Sequence, residues 1–312
     1  MAKTARLKIQ NNLSGPRRVN RTSVIARFRG KWGLAMIVPS VVLVLLFNYY
    51  PALRSLVGAL TSWNGFDPPQ FVGLQNFISY VELPVFWPEV RNLVLFVIGG
   101  TFISIVFPFL AAELTLALPS LRSQNRAKFL FVIPMVIPQV IMISIWAYLL
   151  NPDDGVVDAL LGLFRVPPVQ WLGNTHTALL SILLIGFPWV SSLGYLVFLA
   201  GLQGISQEIF DAASVDGSVG LSRLWTVDLP LSIPQVRFVV IIAGITMVQN
   251  FVPILLLTNG GPANATMVPG LQMYQEAFTD SQLGFGMAIG TLLFVFMVAV
   301  SVATLRFLKP RT

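Results

Sequence analysis

An all-α integral membrane protein with six transmembrane helices is the fold the sequence predicts, and three observations predict it. Of the 312 residues, 55% are hydrophobic and only 11% are charged, with a mean hydropathy of +0.76; soluble domains run near a quarter charged. The charged residues leave gaps wide enough to cross a bilayer: no Asp, Glu, Lys or Arg occurs in 32–53, 92–112, 129–152, 166–207, 238–275 or 281–305. The basic residues, finally, gather in alternate connecting segments. The same composition excludes a disordered chain, which needs low hydrophobicity and high charge. The absence of cysteine excludes disulfides and thiolate metal sites.

A spanning helix needs about 20 apolar residues, and each gap meets that length. Trimming the polar, glycine- and proline-rich ends of the two longest gaps, Gln170–His176 and Thr258–Pro262, predicts helices at roughly 32–53, 92–117, 128–150, 177–201, 237–258 and 284–306. A porin-like barrel would alternate polar and apolar residues, whereas Phe129–Leu150 is apolar almost throughout. With the N-terminus inside, 17 of the 20 basic residues are cytoplasmic and only Arg54, Arg91 and Arg165 are outside. Eight of the 13 acidic residues fall on the outer side. The positive-inside rule selects this arrangement, with both termini cytoplasmic.

Outside the helices the chain divides simply. Residues 1–31 form a tail with nine basic residues and no acidic one, too long in its basic region for a signal peptide. It reads as a topogenic segment attracted to anionic membrane lipid, or as a contact for a partner. The membrane-spanning body covers 32–308, and 309–312 is a cytoplasmic C-terminus. The outer loop 54–90 contains Phe71-Val72-Gly73-Leu74-Gln75-Asn76-Phe77, read as a short interfacial segment.

Motifs for catalysis are missing. There is no G-x-x-x-x-G-K-[ST] phosphate loop, no H-E-x-x-H and no G-x-S-x-G elbow, and the single His176 sits in an outer loop. A proton-coupled carrier would place ionisable residues in the membrane; Glu113, late in the second helix, is the one candidate. It reads either as a group reaching the interface or pairing at a helix contact, or as a functional site. An intramembrane enzyme would need a nucleophile–base pair or a metal cluster, and neither is visible.

The one sizeable cytoplasmic loop, 202–236, has more content. Ser206 is placed as an N-cap with Glu208 in the first turn, favouring the positive end of the helix dipole. Ala212 and Ala213 keep one helix face small. Asp216-Gly217 is a turn signal, because glycine tolerates positive φ. Leu221, Leu224 and Trp225 then stand at helical spacing, and Pro230 closes a second short helix. The stretch reads as a helix-turn-helix elbow presented to a partner, or as an amphipathic connector on the membrane surface.

These residues carry a resemblance. The loop 205–230 is similar to the EAA loop of ATP-binding cassette (ABC) importer permeases, E-A-A-x3-G-x9-I-x-L-P. Here it stands as Asp211-Ala212-Ala213, three residues, Gly217, nine residues, Val227, Asp228 and Leu229-Pro230. Every spacing agrees, with Asp211 in place of Glu and Val227 in place of Ile. Phe71-Val72-Gly73-Leu74-x-Asn76, Trp171-Leu172-Gly173, Ala200-Gly201-Leu202-Gln203 and Leu257-Thr258-Asn259-Gly260-Gly261-Pro262 resemble the carbohydrate-uptake branch, the maltose and glycerol-phosphate type. Gly-Gly-Pro resembles the F-like partner of the maltose-permease heterodimer. The resemblance implies the type I importer fold in a prokaryotic inner membrane and a second permease subunit. It also implies two cytoplasmic ATP-binding cassette subunits, an extracytoplasmic sugar-binding protein, and no nucleic acid. ATP and magnesium would belong to the partner ATPase, with no cofactor or metal on this chain. By the same implication Asp211, Ala212, Ala213, Asp216 and Gly217 belong to the ATPase coupling contact, supported by Leu229 and Pro230.

A sugar site needs hydrogen-bonding side chains and an aromatic face among apolar helices. The fourth helix offers Trp189, Ser191 and Gly194, and the fifth offers Thr246, Met247, Gln249 and Asn250. Thr246, Gln249 and Asn250 are spaced i, i+3, i+4, hence on one helix face. Hydrogen bonding between helices is the competing use of such residues. The resemblance implies substrate contacts near Trp189, Ser191, Gly194, Thr246, Met247 and Asn250. The expected function is the permease subunit of an ATP-driven importer for a di- or oligosaccharide or glycerol phosphate. The alternatives are a non-sugar solute, or a passive channel or scaffold.

Overall fold

The computed structural model describes residues 31–187 and 191–307. The basic tail up to residue 30, Trp189, and the C-terminal Lys309 and Arg311 lie outside the described residues. The first span is α1 (Lys31–Val44), a π-turn at Leu45–Tyr49, and α2 (Tyr50–Gly58). From Met36 onward its large side chains are exposed, Met36 at 82% and Phe47 at 68%, as befits a helix that is apolar all round.

The expected interfacial segment contains a feature that alternation did not signal. A two-residue antiparallel pair, β1 (Thr61–Ser62) with β2 (Gln70–Phe71), precedes α3 (Gln75–Glu82). Gly73 turns the chain at φ 61°, and the Asn76 amide donates to Ala59 O and Thr61 O, both at 2.9 Å. Tyr80 donates to Glu89 Oε2 at 2.7 Å. Burial first, and then the Glu89 charge, hold the phenol well above its ordinary pKa, so it stays a donor.

The second span, α4 (Phe86–Leu116), starts at Phe86 rather than 92 and is unbroken. The next three spans correct the expectation of continuous helices. In the third, α5 (Leu121–Val132) passes through a 3₁₀ turn at Ile133–Val136, and α6 (Gln139–Leu149) leaves at 98°. Pro134 and Pro138 cause this: each lacks an N–H donor, and Pro138 holds Ile137 extended at ψ 123°. After α7 (Val156–Gly162), α8 (Ala178–Leu183) stops short and α9 (Ser192–Gln203) resumes the fourth span. The loop 202–236 supplies α10 (Gln207–Val215), α11 (Leu221–Arg223), a π-turn at Leu224–Asp228, and α12 (Leu229–Leu231). In the fifth span α13 (Ile233–Gln249) ends at Asn250, whose φ −89°, ψ 72° is not helical, and α14 (Val252–Leu257) restarts on Pro253. α15 (Pro269–Tyr274), a π-turn at Gln275–Thr279 and the unbroken sixth span α16 (Leu283–Phe307) complete the chain.

Core clusters of buried side chains hold these pieces. In one, Phe109 and Ala112 of α4 pack with Tyr195, Phe198 and Leu202 of α9 and with Val239 and Ala243 of α13. The Tyr195 and Thr115 hydroxyls hydrogen-bond at 3.0 Å, and Ser192 Oγ donates to Phe131 O at 2.8 Å. Phe96, Ile182, Ile254 and Leu271 form a second cluster. There the Asn92 amide, donating to Asn264 O at 3.1 Å and Met267 O at 2.9 Å, pins the Gly-Gly-Pro loop.

Candidate functional site

The three interrupted spans meet at one place. A cavity of about 360 Å³ is lined by Pro134, Ile137, Gln139 and Met142 of the third span, Ile182, Gly186, Ser191 and Ser192 of the fourth, and Met247, Asn250 and Pro253 of the fifth. Phe96 and Gly100 of α4 close one side. Irregular backbone is tolerated at membrane depth where it lines a cavity or is buried in protein, and these breaks do so together. A neighbouring cavity of about 200 Å³ is lined by Ser104, Ser191, Gly194, Ala243, Thr246 and Met247, among others. A Cβ on Gly100 would lie 2.5 Å from Met247 Sδ, so this glycine permits the close approach of α4 and α13.

The sequence-predicted polar residues separate here. Ser191 borders both cavities while its hydroxyl accepts from Gly194 N at 3.1 Å, capping α9. Met247 also borders both; Gly194 and Thr246 border the smaller one, and Asn250 the larger. Trp189 lies outside the described residues. The single-face reading of Thr246, Gln249 and Asn250 is corrected. The helix stops at Gln249, whose amide meets Met297 Sδ of α16 at 3.5 Å, whereas Asn250 sits in the break. Gln249 therefore serves a contact between helices. Gln139 is a residue the sequence reading missed: its Nε2 donates to Asn250 Oδ1 at 2.8 Å across the cavity wall. Its signal was Pro138, which makes Gln139 the first residue of a restarted helix.

The second candidate region is the elbow in the loop 202–236. α10 leaves α9 at 73°, and the return path meets α13 at 68°. Ser206 occupies the N-cap with extended backbone (ψ 146°), but its side chain makes no capping bond; Glu208 in the first turn remains to meet the dipole. Ser218 N–H donates to Ala213 O at 2.8 Å and Asp216 N–H to Ala212 O at 3.0 Å, with Gly217 at φ 75°. This is the glycine-terminated end that Asp-Gly predicts. Asp211, Ala212, Asp216 and Gly217 are exposed, and Gln207 Nε2 donates to Asp211 Oδ1 at 3.0 Å. Ala213 is buried at 7% exposure, so it packs inward and supports the elbow rather than facing a partner.

The second half of the elbow differs from the expected short helix. It is three residues of α11, the π-turn and α12, so Pro230 lies inside a turn that continues to Leu231. Leu221 and Trp225 stay exposed at 78% and 67%, while Leu224 and Leu229 pack on the cluster around Phe109, Tyr195 and Phe198. Glu113 pairs with Arg223 of the elbow at 3.7 Å. Of its two sequence readings, the structure shows the helix contact.

Comparison with known proteins adds independent observations. Residues 104–312 match the family model described as binding-protein-dependent transport system inner membrane component. The chain is 28% identical to the trehalose/maltose transport system permease protein MalF of Thermococcus litoralis, over 92% of this chain and 97% of that one. It is also 28% identical to the probable ABC transporter permease protein YurN of Bacillus subtilis, over 88% and 94%. Its fold is similar to a chain in the crystal structure of a bacterial alginate ABC transporter in complex with an alginate pentasaccharide-bound periplasmic protein. The TM-score is 0.77 at 19% identity, covering 90% of this chain and 94% of that one.

Proposed function

Because the chain belongs to the binding-protein-dependent transport system inner membrane components, we propose that it is the membrane-spanning permease subunit of an ATP-driven sugar importer. It is a multi-pass inner-membrane protein with both termini cytoplasmic, paired with a second permease. An extracytoplasmic binding protein delivers the sugar, and two cytoplasmic ATPases, which hold ATP and magnesium, dock on the elbows. Hydrolysis takes place in those partners. The names of the sugar-transport relatives and the partner protein in the alginate complex support this reading.

One observation carries the mechanism: the elbow and the cavity are joined by two rods. α9 begins at the cavity with Ser192 and ends before the elbow at Gln203; α13 begins after the elbow at Ile233 and reaches the cavity with Met247, just before the break at Asn250. Helices of 12 and 17 residues are about 18 and 25 Å long. A packed helix transmits a push along its axis. Movement of the elbow as the ATPases close therefore shifts the Ser191 cap and the Asn250 break, where helical geometry already ends, and switches the cavity's access. Amide and hydroxyl groups of Gln139, Asn250 and Ser191 supply the hydrogen bonds a sugar needs. The test is reconstitution of the chain with its second permease and ATPases in proteoliposomes. Uptake of a di- or oligosaccharide is expected only with both ATP and the binding protein. Uptake that runs without ATP would make the chain a passive channel and overturn the proposal.

A further inference from the structure

Arg223 falls at an unspecified position of the EAA pattern, among the nine residues between Gly217 and Val227, yet it joins three segments of the chain. Its Nε donates to Asp228 Oδ2 at 3.0 Å, and its Nη2 lies 3.7 Å from Glu113 Oε2 near the end of α4. Its guanidinium carbon stands 4.9 Å from the ring centre of Phe210 on α10. The Asp228 side chain is 2% exposed and that of Glu113 is 11%, while Arg223 is 38% exposed. Glu113 Oε1 and Asp228 Oδ1 are buried with no other hydrogen-bond partner among the described residues. Two carboxylates therefore depend on one guanidinium, whose planar fork and face can hold both and the ring at once. Breaking such a buried pair strands its charges.

We infer that Arg223 is the positioning residue that ties the coupling elbow to α4, so that elbow movement reaches the second span as well as α9 and α13. The inference rests on the importer reading. α10 is exposed along most of its length, with Ala213 its one buried residue. Its attachment to the body runs through that alanine, the α9 junction and the Phe210–Arg223 stack. With the clamp intact, a push on α10 is carried to α4, whose Gly100 and Phe96 wall the cavity. Without it the elbow yields locally, and ATP is hydrolysed without moving the wall.

The experiment measures sugar transported per ATP hydrolysed in proteoliposomes, alongside co-purification of the ATPase. Arg223→Gln alone strands two acids, so the main variant is the neutral, shape-conserving triple E113Q/R223Q/D228N, with Arg223→Lys and Glu113→Gln beside it. The triple variant is expected to keep the ATPase bound and hydrolysing while the ratio falls about tenfold, within the range of site-to-site couplings. Arg223→Lys, which keeps the charge without the fork, falls between. Adding Glu113→Gln to Arg223→Gln should cost little more, because the pair acts as a unit. A wild-type ratio in the triple variant, or in both Arg223→Lys and Glu113→Gln, overturns the clamp. Absence of ATP-driven uptake in the unaltered complex would instead overturn the importer reading on which it stands.

Discussion

Asn250 shows how much one backbone position contributes. It ends α13 at a non-helical ψ of 72° and exchanges a 2.8 Å hydrogen bond with Gln139, so two amides face the cavity from two broken spans. Each amide that bonds the sugar is worth about 1 kcal/mol, and Asn250→Ala or Gln139→Ala should therefore raise the transport KM about fivefold. ATPase co-purification should not change, and the double variant should fall short of the product because the two residues touch. Unchanged uptake kinetics in both single variants would remove them from the substrate path. Asn250 was legible as a polar residue in an apolar helix. Gln139 was not, since its role depends on Pro138 restarting the helix beside a partner 111 positions away.

At the scale of elements, the elbow and the broken spans follow different rules. The elbow is local: Asp216-Gly217 terminates α10 by its own backbone preference, which is why the turn signal marked its bend in the sequence. Gly217 has φ 75° and open space where a side chain would project, with nothing among the described residues within 4 Å. Gly217→Ala therefore costs about 1 kcal/mol of backbone strain alone and should dock its ATPase with little loss. Gly217→Arg projects a bulky charge outward from the same turn. If the ATPase seats there, its affinity should fall about 30-fold, as at a docking hot spot. Equal ATPase capture by Gly217→Arg and the unaltered chain would exclude this face from the contact. The breaks in the third, fourth and fifth spans are not local in this sense. α4 tolerates Pro108 within an unbroken 31-residue helix, whereas Pro134 and Pro138 divide the third span. Whether a proline interrupts a membrane helix depends on what its neighbours offer the freed carbonyls.

Across the whole molecule, charge placement makes the next prediction. With no native cysteine, single-cysteine variants report sidedness without background. In sealed right-side-out vesicles, Thr175→Cys in the outer loop should react with an impermeant maleimide. Ser218→Cys in the elbow should react only after the membrane is opened; the reverse pattern would invert the topology. Composition and charge spacing by themselves marked the apolar segments and their approximate positions, and the Asp216-Gly217 turn signal marked the bend of the elbow. Those properties are set by transfer of each segment into lipid and by the turn preferences of a few residues, both local. The tertiary structure alone decided that three spans are broken, that the breaks converge on one cavity, that Gln249 turns to α16 while Asn250 turns inward, and that Arg223 binds Glu113 across the elbow. Each of these requires groups distant in sequence to satisfy one another's hydrogen bonds or charges. No segment read alone contains its partner.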